Sequence, residues 1–214
     1  MTTDKAGFET YKYFSTLEGN QNIATEFALK IITKFVKSYR PKNILELGLG
    51  IGSISYAILH YCNATNQKIN YVGTEANEFC LEVLPKYLKE YYSQVTIFTT
   101  LDNVSNPEKF DFFIIDGKDE SLSKVKDIIS KRGIIVIEGD RIPQLNLIRS
   151  IFPNSFYTRV LSNYKNPSYG PFSASDLCGG LQLIYINPSW KQLLDYSFYK
   201  IQTAIRYRIR AFNK

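Results

Sequence analysis

One histidine, one tryptophan and one methionine occur in this chain of 214 residues, together with only three cysteines. Cys62, Cys80 and Cys178 follow no zinc-ligand spacing and are odd in number. A histidine-based metal centre and a disulfide-stapled secreted scaffold are therefore excluded, and the thiols read as reduced, mostly buried filler. The lone His60 reads as structural, so any general base must be a carboxylate, lysine or tyrosine. No apolar run approaches the roughly 20 residues that a membrane span needs. Met1-Thr-Thr-Asp-Lys5 lacks the charged-then-apolar order of a secretory signal, which predicts a cytoplasmic protein. No internal repeat and no linker interrupt the chain. A single domain over 1–214 is expected, with an N-terminal segment and helix over 1–40, a sheet core over 41–187 and a terminal helix over 188–214.

What is present is ordinary globular composition, 44% hydrophobic and 21% charged, with a net charge of +6. The stretch Asn43-Ile-Leu-Glu-Leu-Gly-Leu-Gly-Ile-Gly-Ser53 organises the rest. It reads as strand, glycine turn and helix start, which aims free backbone N–H groups and the positive helix end at a ligand. A dinucleotide fingerprint would need glycine at position 53 or 55, and both are serine. A phosphate loop needs a Gly-Lys after these glycines, and none follows. A turn serving only tight strand-to-helix packing requires fewer than three alternating glycines.

Along the chain, apolar residues from Asn22 to Tyr39 recur at helical spacing and stop before Pro41. Residues 1–20 carry Phe8, Tyr11, Tyr13 and Phe14, more aromatic weight than a free tail, and are expected to fold over a cleft. Strands are predicted over 43–47, 68–74, 94–100, 109–115, 133–138, 155–161 and 181–186, with helices between the first five, including 77–91 and 120–130. Alternation of this kind makes a doubly wound α/β fold, a mostly parallel seven-stranded sheet with ligands at its carboxyl edge. The acids Glu46, Glu75, Asp102, Asp116, Glu138 and Asp140 all fall at that edge. Like charges crowd at one rim when a cation, cofactor or proton is shared there. Glu75, at the tip of the second strand, is placed to accept ribose hydroxyls or to cap the following helix.

With Glu46 leading Gly48, Gly50 and Gly52, the chain resembles the class I S-adenosylmethionine-dependent methyltransferases. The resemblance extends in layout over residues 22 to 187, including an antiparallel last strand. It implies S-adenosyl-L-methionine as cofactor, held by Glu46, Gly48, Gly50, Gly52, Ser53, Glu75, Thr100, Leu101, Asp102 and Asp116. Within that family, Asp116 and Asp140 are similar in placement to the metal ligands of the catechol O-methyltransferase group, implying Mg2+ or another divalent cation. Two departures stand out: Lys118 follows Asp116 by two places rather than three, and Glu138-Gly139-Asp140 replaces an Asp-Asn pair. Asp116, Asp140 and Lys118 are the catalytic candidates. The end of the fourth strand carries no proline or aromatic of the kind that grips a flipped base, which disfavours base N-methylation.

The polar loop 162–180 carries Tyr164, Tyr169, Phe172 and Asp176, the candidate substrate contacts, since binding residues concentrate on loops over a rigid sheet. From Trp190, apolar residues recur through Leu194, Phe198, Ile201, Ile205, Ile209 and Phe212 in steps of four, four, three, four, four and three. That stripe is expected to dock on its own domain or on a second copy. Its cations, including Lys200, Arg206, Arg208, Arg210 and Lys214, also suit nucleic acid or an anionic membrane surface. The expected function is O-methylation of a small hydroxylated molecule, a sugar or phenol. The alternatives are methylation of RNA ribose or cap hydroxyls using the basic terminal helix, and a non-catalytic cofactor-binding partner.

Overall fold

Phe110–Ile115, the most continuous apolar run, forms strand β4, and Phe112, Phe113, Ile114 and Ile115 are at most 1% exposed. Each such burial is worth about 1.5–3 kcal/mol, so this strand anchors the sheet. The computed structural model describes residues 1–104 and 108–212; the predicted basic residue Lys214 lies outside them. Strands β1 (Asn43–Leu47), β2 (Asn70–Thr74), β3 (Val95–Phe98), β4, β5 (Ile129–Glu138), β6 (Phe156–Val160) and β7 (Leu181–Tyr185) make one seven-stranded sheet in the order β3-β2-β1-β4-β5-β7-β6. Pairing is parallel from β3 to β5, whereas β7 runs antiparallel to both β5 and β6. The last strand in sequence is thus the single reversed one.

Because successive strand residues point to opposite faces, the sheet buries two cores. Ile44, Tyr71, Phe112, Ile114 and Val136 pack against α1 (Thr3–Phe14), α2 (Glu26–Tyr39), α3 (Ser53–Ala64) and α4 (Glu78–Leu88). Leu45, Leu47, Phe113, Ile115 and Ile137 face the opposite side, against Leu122, α5 (Val125–Ile128) and α6 (Ile142–Ile151). Side-chain caps start several of these helices: Thr25 accepts from the Ala28 N–H at 3.2 Å, and Asn77 from that of Cys80 at 3.1 Å. At its other end α2 stops on Arg40 in the left-handed region, just before Pro41.

Three departures from the sequence expectations have local causes. Residues 1–20 do not drape over the cleft. They form α1, whose Tyr11 and Phe14 are 0% exposed within the first core, and it is the connector to α2 that reaches the carboxyl edge. Residues 120–130 form a 3-10 turn over Glu120–Lys124 followed by the short α5, because Ile129 already pairs with Phe110 and draws the chain into β5.

The terminal helix α7 (Trp190–Phe212) docks by the face opposite to its apolar stripe. Gln192, Tyr199 and Thr203 are the buried side, and the guanidinium groups of Arg206 and Arg210 donate to the backbone carbonyls of Leu161 and Ser162. Those carbonyls follow the edge strand β6 and need partners, so the polar face of the helix is the one that is covered. None of the described helices is long and apolar enough to cross a membrane.

Candidate functional site

Between β1 and β4 the strand order reverses, and the loops there part to leave a crevice of about 550 Å³. That volume lies within the range of small-ligand sites. Its floor is the turn after β1. Gly48, at φ +83°, lies so close to the β4 loop that an added Cβ would stand 2.6 Å from Gly117 Cα. Gly50, at φ +53°, has nothing within 4 Å of its missing side chain and bares its backbone to the crevice. Gly52 serves packing instead, starting α3 against Leu84 and Leu88. Ser53 is 5% exposed and its Oγ accepts weakly from Ala24 N–H at 3.4 Å.

Glu75, at the tip of β2, braces the loops on either side of the crevice, while the cap of α4 is Asn77. One oxygen accepts from the N–H groups of Ala76 and Asn77, at 2.9 and 2.8 Å, while the other accepts from Gly50 N–H at 2.7 Å. The acid therefore fixes the glycine turn and still lines the crevice.

The opposite wall is built by the ends of β4 and β5. The carboxyl groups of Asp116 and Glu138 line the crevice together and influence each other's titration. Burial pushes Asp116 up to about 6, against the opposing pull of Arg141, and Glu138 up to about 8, with the negative charge of Asp116 as the second cause. Burial and mutual repulsion together oppose ionisation of both carboxyls at once. Arg141 completes the group: its guanidinium donates to Asp116 Oδ1 at 2.6 Å and to the Glu138 carbonyl at 3.1 Å. Glu138 and Arg141 stand at the edge that the sequence marked, yet it was Asp140 beside them that the spacing selected.

Asp140 does not join Asp116. Its side chain is 82% exposed, it lies 3.7 Å from Arg159, and it does not line the crevice. The divalent-cation arrangement drawn from the resemblance consequently does not fit: the cation at Asp116 is Arg141, and no cluster of three metal-ligating side chains occurs among the described residues. Lys118 does line the crevice and is exposed.

Glu46 is displaced inward rather than outward. It is 0% exposed on the α3 side of β1, where Ser55 Oγ donates to it at 2.6 Å and the Tyr71 hydroxyl also donates, while its other oxygen has no partner. Burial pushes this carboxyl from its ordinary 4.5 up to about 8, so it is neutral at pH 7. The folded chain must then take up a proton that the unfolded chain lacks above pH 4.5, and stability falls as pH rises between those two values, by on the order of 4 kcal/mol. Glu46→Gln removes that dependence. Urea unfolding at pH 6 and pH 9 is expected to show the variant more stable than the parent at pH 9, with a flatter pH profile.

Past β3, the three residues that the resemblance gives to the cofactor do not line the crevice. Leu101 is buried in the second core, Asp102 pairs with Lys124, and Thr100 donates to Asn103 at 2.6 Å. Thr99, one place earlier, lines the crevice, as does Asp119, which accepts from Leu101 N–H at 2.8 Å. Of the loop 162–180, Phe172 reaches the crevice, joined by Asn22, Ile23 and Thr25 from the connector before α2. Tyr164 and Tyr169 line a separate cavity against Phe8 and Phe27, and Asp176 is exposed beside Ser175. The connector carries no sequence signal beyond its polarity; Thr99 differs from its chosen neighbour only by the side of the strand on which it stands.

No protein-family model matches the chain, and no curated protein matches it. Solved structures do. An O-methyltransferase from Bacillus cereus, in complex with SAH, superposes with a TM-score of 0.58 at 15% identity over 85% of this chain and 90% of its own. The O-methyltransferase TomG from Streptomyces achromogenes, involved in tomaymycin synthesis and in complex with SAM, gives 0.59 at 12% identity over 85% and 89%. A precorrin-6y C5,15-methyltransferase from Geobacter metallireducens gives 0.53 at 16% identity over 76% and 88%. At these identities the likeness is one of fold: this chain has the Rossmann-like methyltransferase architecture.

Proposed function

We propose that this protein is an S-adenosylmethionine-dependent methyltransferase that methylates a hydroxyl group of a small molecule. The observation that carries the reading is the crevice at the β1/β4 switch point, which is lined together by the bare backbone at Gly50, the Glu75 carboxylate and the Arg141-held Asp116. The cradle suits the cofactor on three counts: glycine backbone with open space above it, an acid at the β2 tip, and a negative charge at Asp116 to face a cationic sulfur. When bound, the cofactor supplies an electrophilic methyl group whose carrier leaves as a neutral thioether, without help from an acid.

The chain's own residues then have one chemical task, to hold the acceptor and take its proton. Asp116 is ionised above about pH 6 and is the group that receives the hydroxyl proton. Arg141 keeps that carboxylate oriented, and Glu138 shares its proton with it. Phe172 and the connector residues Asn22, Ile23 and Thr25 line the crevice beside these groups. A crevice of about 550 Å³ suits a small acceptor. The basic helix α7 packs on β6, beyond β5 and β7 from the crevice, and two of its arginines are engaged with backbone carbonyls, so it does not flank the site.

Calorimetric titration with S-adenosylhomocysteine, compared with NAD, tests the cofactor. Binding of the first alone is the expected result, and binding of NAD alone or of neither rejects the proposal. Gly50→Ala places a methyl group in the open space over the turn. It is expected to weaken S-adenosylhomocysteine at least about tenfold while leaving the fold intact, because loss of a close backbone contact is worth about 1.4 kcal/mol or more.

A further inference from the structure

The solvent-facing stripe of α7 is larger than a soluble helix requires. Trp190 is 84% exposed, Leu194 70%, Ile201 63%, Phe198 54%, Ile205 52% and Ile209 41%. At about 100° per residue these six side chains fall within an arc of about 100°. Contiguous apolar surface on this scale marks a contact site rather than chance exposure.

Two features say what covers it. The first is the spacing: steps of four, four and three repeat every eleven residues, so the stripe runs almost straight along the helix. A seam built for a partner helix in a left-handed coiled coil would keep a seven-residue repeat instead. A straight stripe on a 23-residue helix fits a flat surface. The second is charge. Arg208 lies at one edge of the arc with exposed Lys200 beyond it, while Lys191, at the other edge, donates to the Ser38 carbonyl at 2.6 Å. Asp195, the only acid of the helix, is turned to the domain and accepts from the Tyr39 hydroxyl at 2.7 Å. A second copy of this face would bring cations and no carboxylate to meet them. An anionic lipid headgroup layer offers the complementary charge, and its acyl boundary accepts the apolar side chains.

We infer that α7 is an interfacial helix that seats this domain on an anionic bilayer surface, lying in the headgroup plane with Trp190 to Ile209 inserted. The remaining polar face stays bound to β6 through Thr203, Arg206 and Arg210, so the helix needs no detachment to reach the lipid.

Trp190 is the only tryptophan in the chain, which makes its fluorescence a direct reporter. The intact protein is mixed with vesicles of phosphatidylcholine, or of phosphatidylcholine with phosphatidylglycerol, and followed by emission and co-sedimentation. The expected result is a blue shift and co-sedimentation with the anionic vesicles that the neutral ones do not produce. The triple variant L194S, F198S, I201S is expected to lose about a hundredfold in partitioning, and Arg208→Ala, which keeps the stripe, about fivefold. Both variants change exposed side chains, and unchanged far-UV dichroism verifies their fold. No response to anionic vesicles, equal partitioning to neutral ones, a dimer formed through this stripe that vesicles do not dissociate, or a Trp190 shift given by RNA but not by vesicles would each overturn the inference. None of these readouts involves methyl transfer, so the lipid result and the catalytic reading fail or stand separately.

Discussion

Asp116→Asn is expected to lower turnover by about 10²- to 10⁴-fold, the usual worth of a positioned proton acceptor, while leaving S-adenosylhomocysteine affinity within a few-fold of the parent. The amide keeps the shape and still accepts from Arg141, but it cannot receive a proton. In the parent, turnover is expected to rise as pH passes through about 6, where the Asp116–Glu138 pair gives up its first proton, and that ascending limb should disappear in the variant. Glu138→Ala removes the protonated neighbour whose hydrogen bond favours the ionised form of Asp116, so its limb should move to higher pH. A wild-type profile with no limb in this region, or an Asp116→Asn enzyme of unchanged turnover, would remove Asp116 from the chemistry. Once an acceptor has been identified by screening hydroxylated small molecules, single-turnover kinetics against pH make the measurement.

The largest effect on the fold is expected at Gly48. Its φ of +83° costs a side-chain-bearing residue about 1–2 kcal/mol, and the Cβ of an alanine there would lie 2.6 Å from Gly117 Cα and 2.7 Å from Gly117 N. Both neighbours are backbone and cannot swing aside, so overpacking adds about 1–3 kcal/mol. Gly48→Ala should therefore lose roughly 3 kcal/mol in urea unfolding, a large share of the stability of an ordinary domain. The nearby Gly50→Ala, also at positive φ but facing open space, should lose about 1 kcal/mol. Equal losses at the two positions would mean that the approach of the β1 and β4 loops is not what Gly48 provides.

These two glycines also show where the sequence is readable and where it stops. Alternating glycines after an apolar strand announce the turn, and the continuous run Phe110–Ile115 announces a central parallel strand, because both patterns follow from local geometry and two-sided burial. A ligand crevice at the carboxyl edge follows from them, whereas the strand order does not. Which of three neighbouring residues faces a cavity does not. Thr99 and Thr100, or Glu138 and Asp140, differ by the last turn of backbone after a strand ends, and that turn is set by long-range contacts such as the Gly139 N–H to the Gly180 carbonyl, at 3.0 Å. Glu46 is hard to place for a related reason: a carboxylate in a strand reads as a functional edge residue until Ser55 and Tyr71, from the helix and strand that follow it, supply its partners. Helix α7 inverts the usual rule. Its apolar stripe was legible, but amphipathic periodicity names a face without saying which surface that face meets.

The guanidinium of Arg141 beside Asp116 has a further consequence. A positive charge carried on the polypeptide cannot be chelated, exchanged or starved from the medium. That positive charge is therefore inherited with the chain and is in place once Arg141 follows β5 to the crevice.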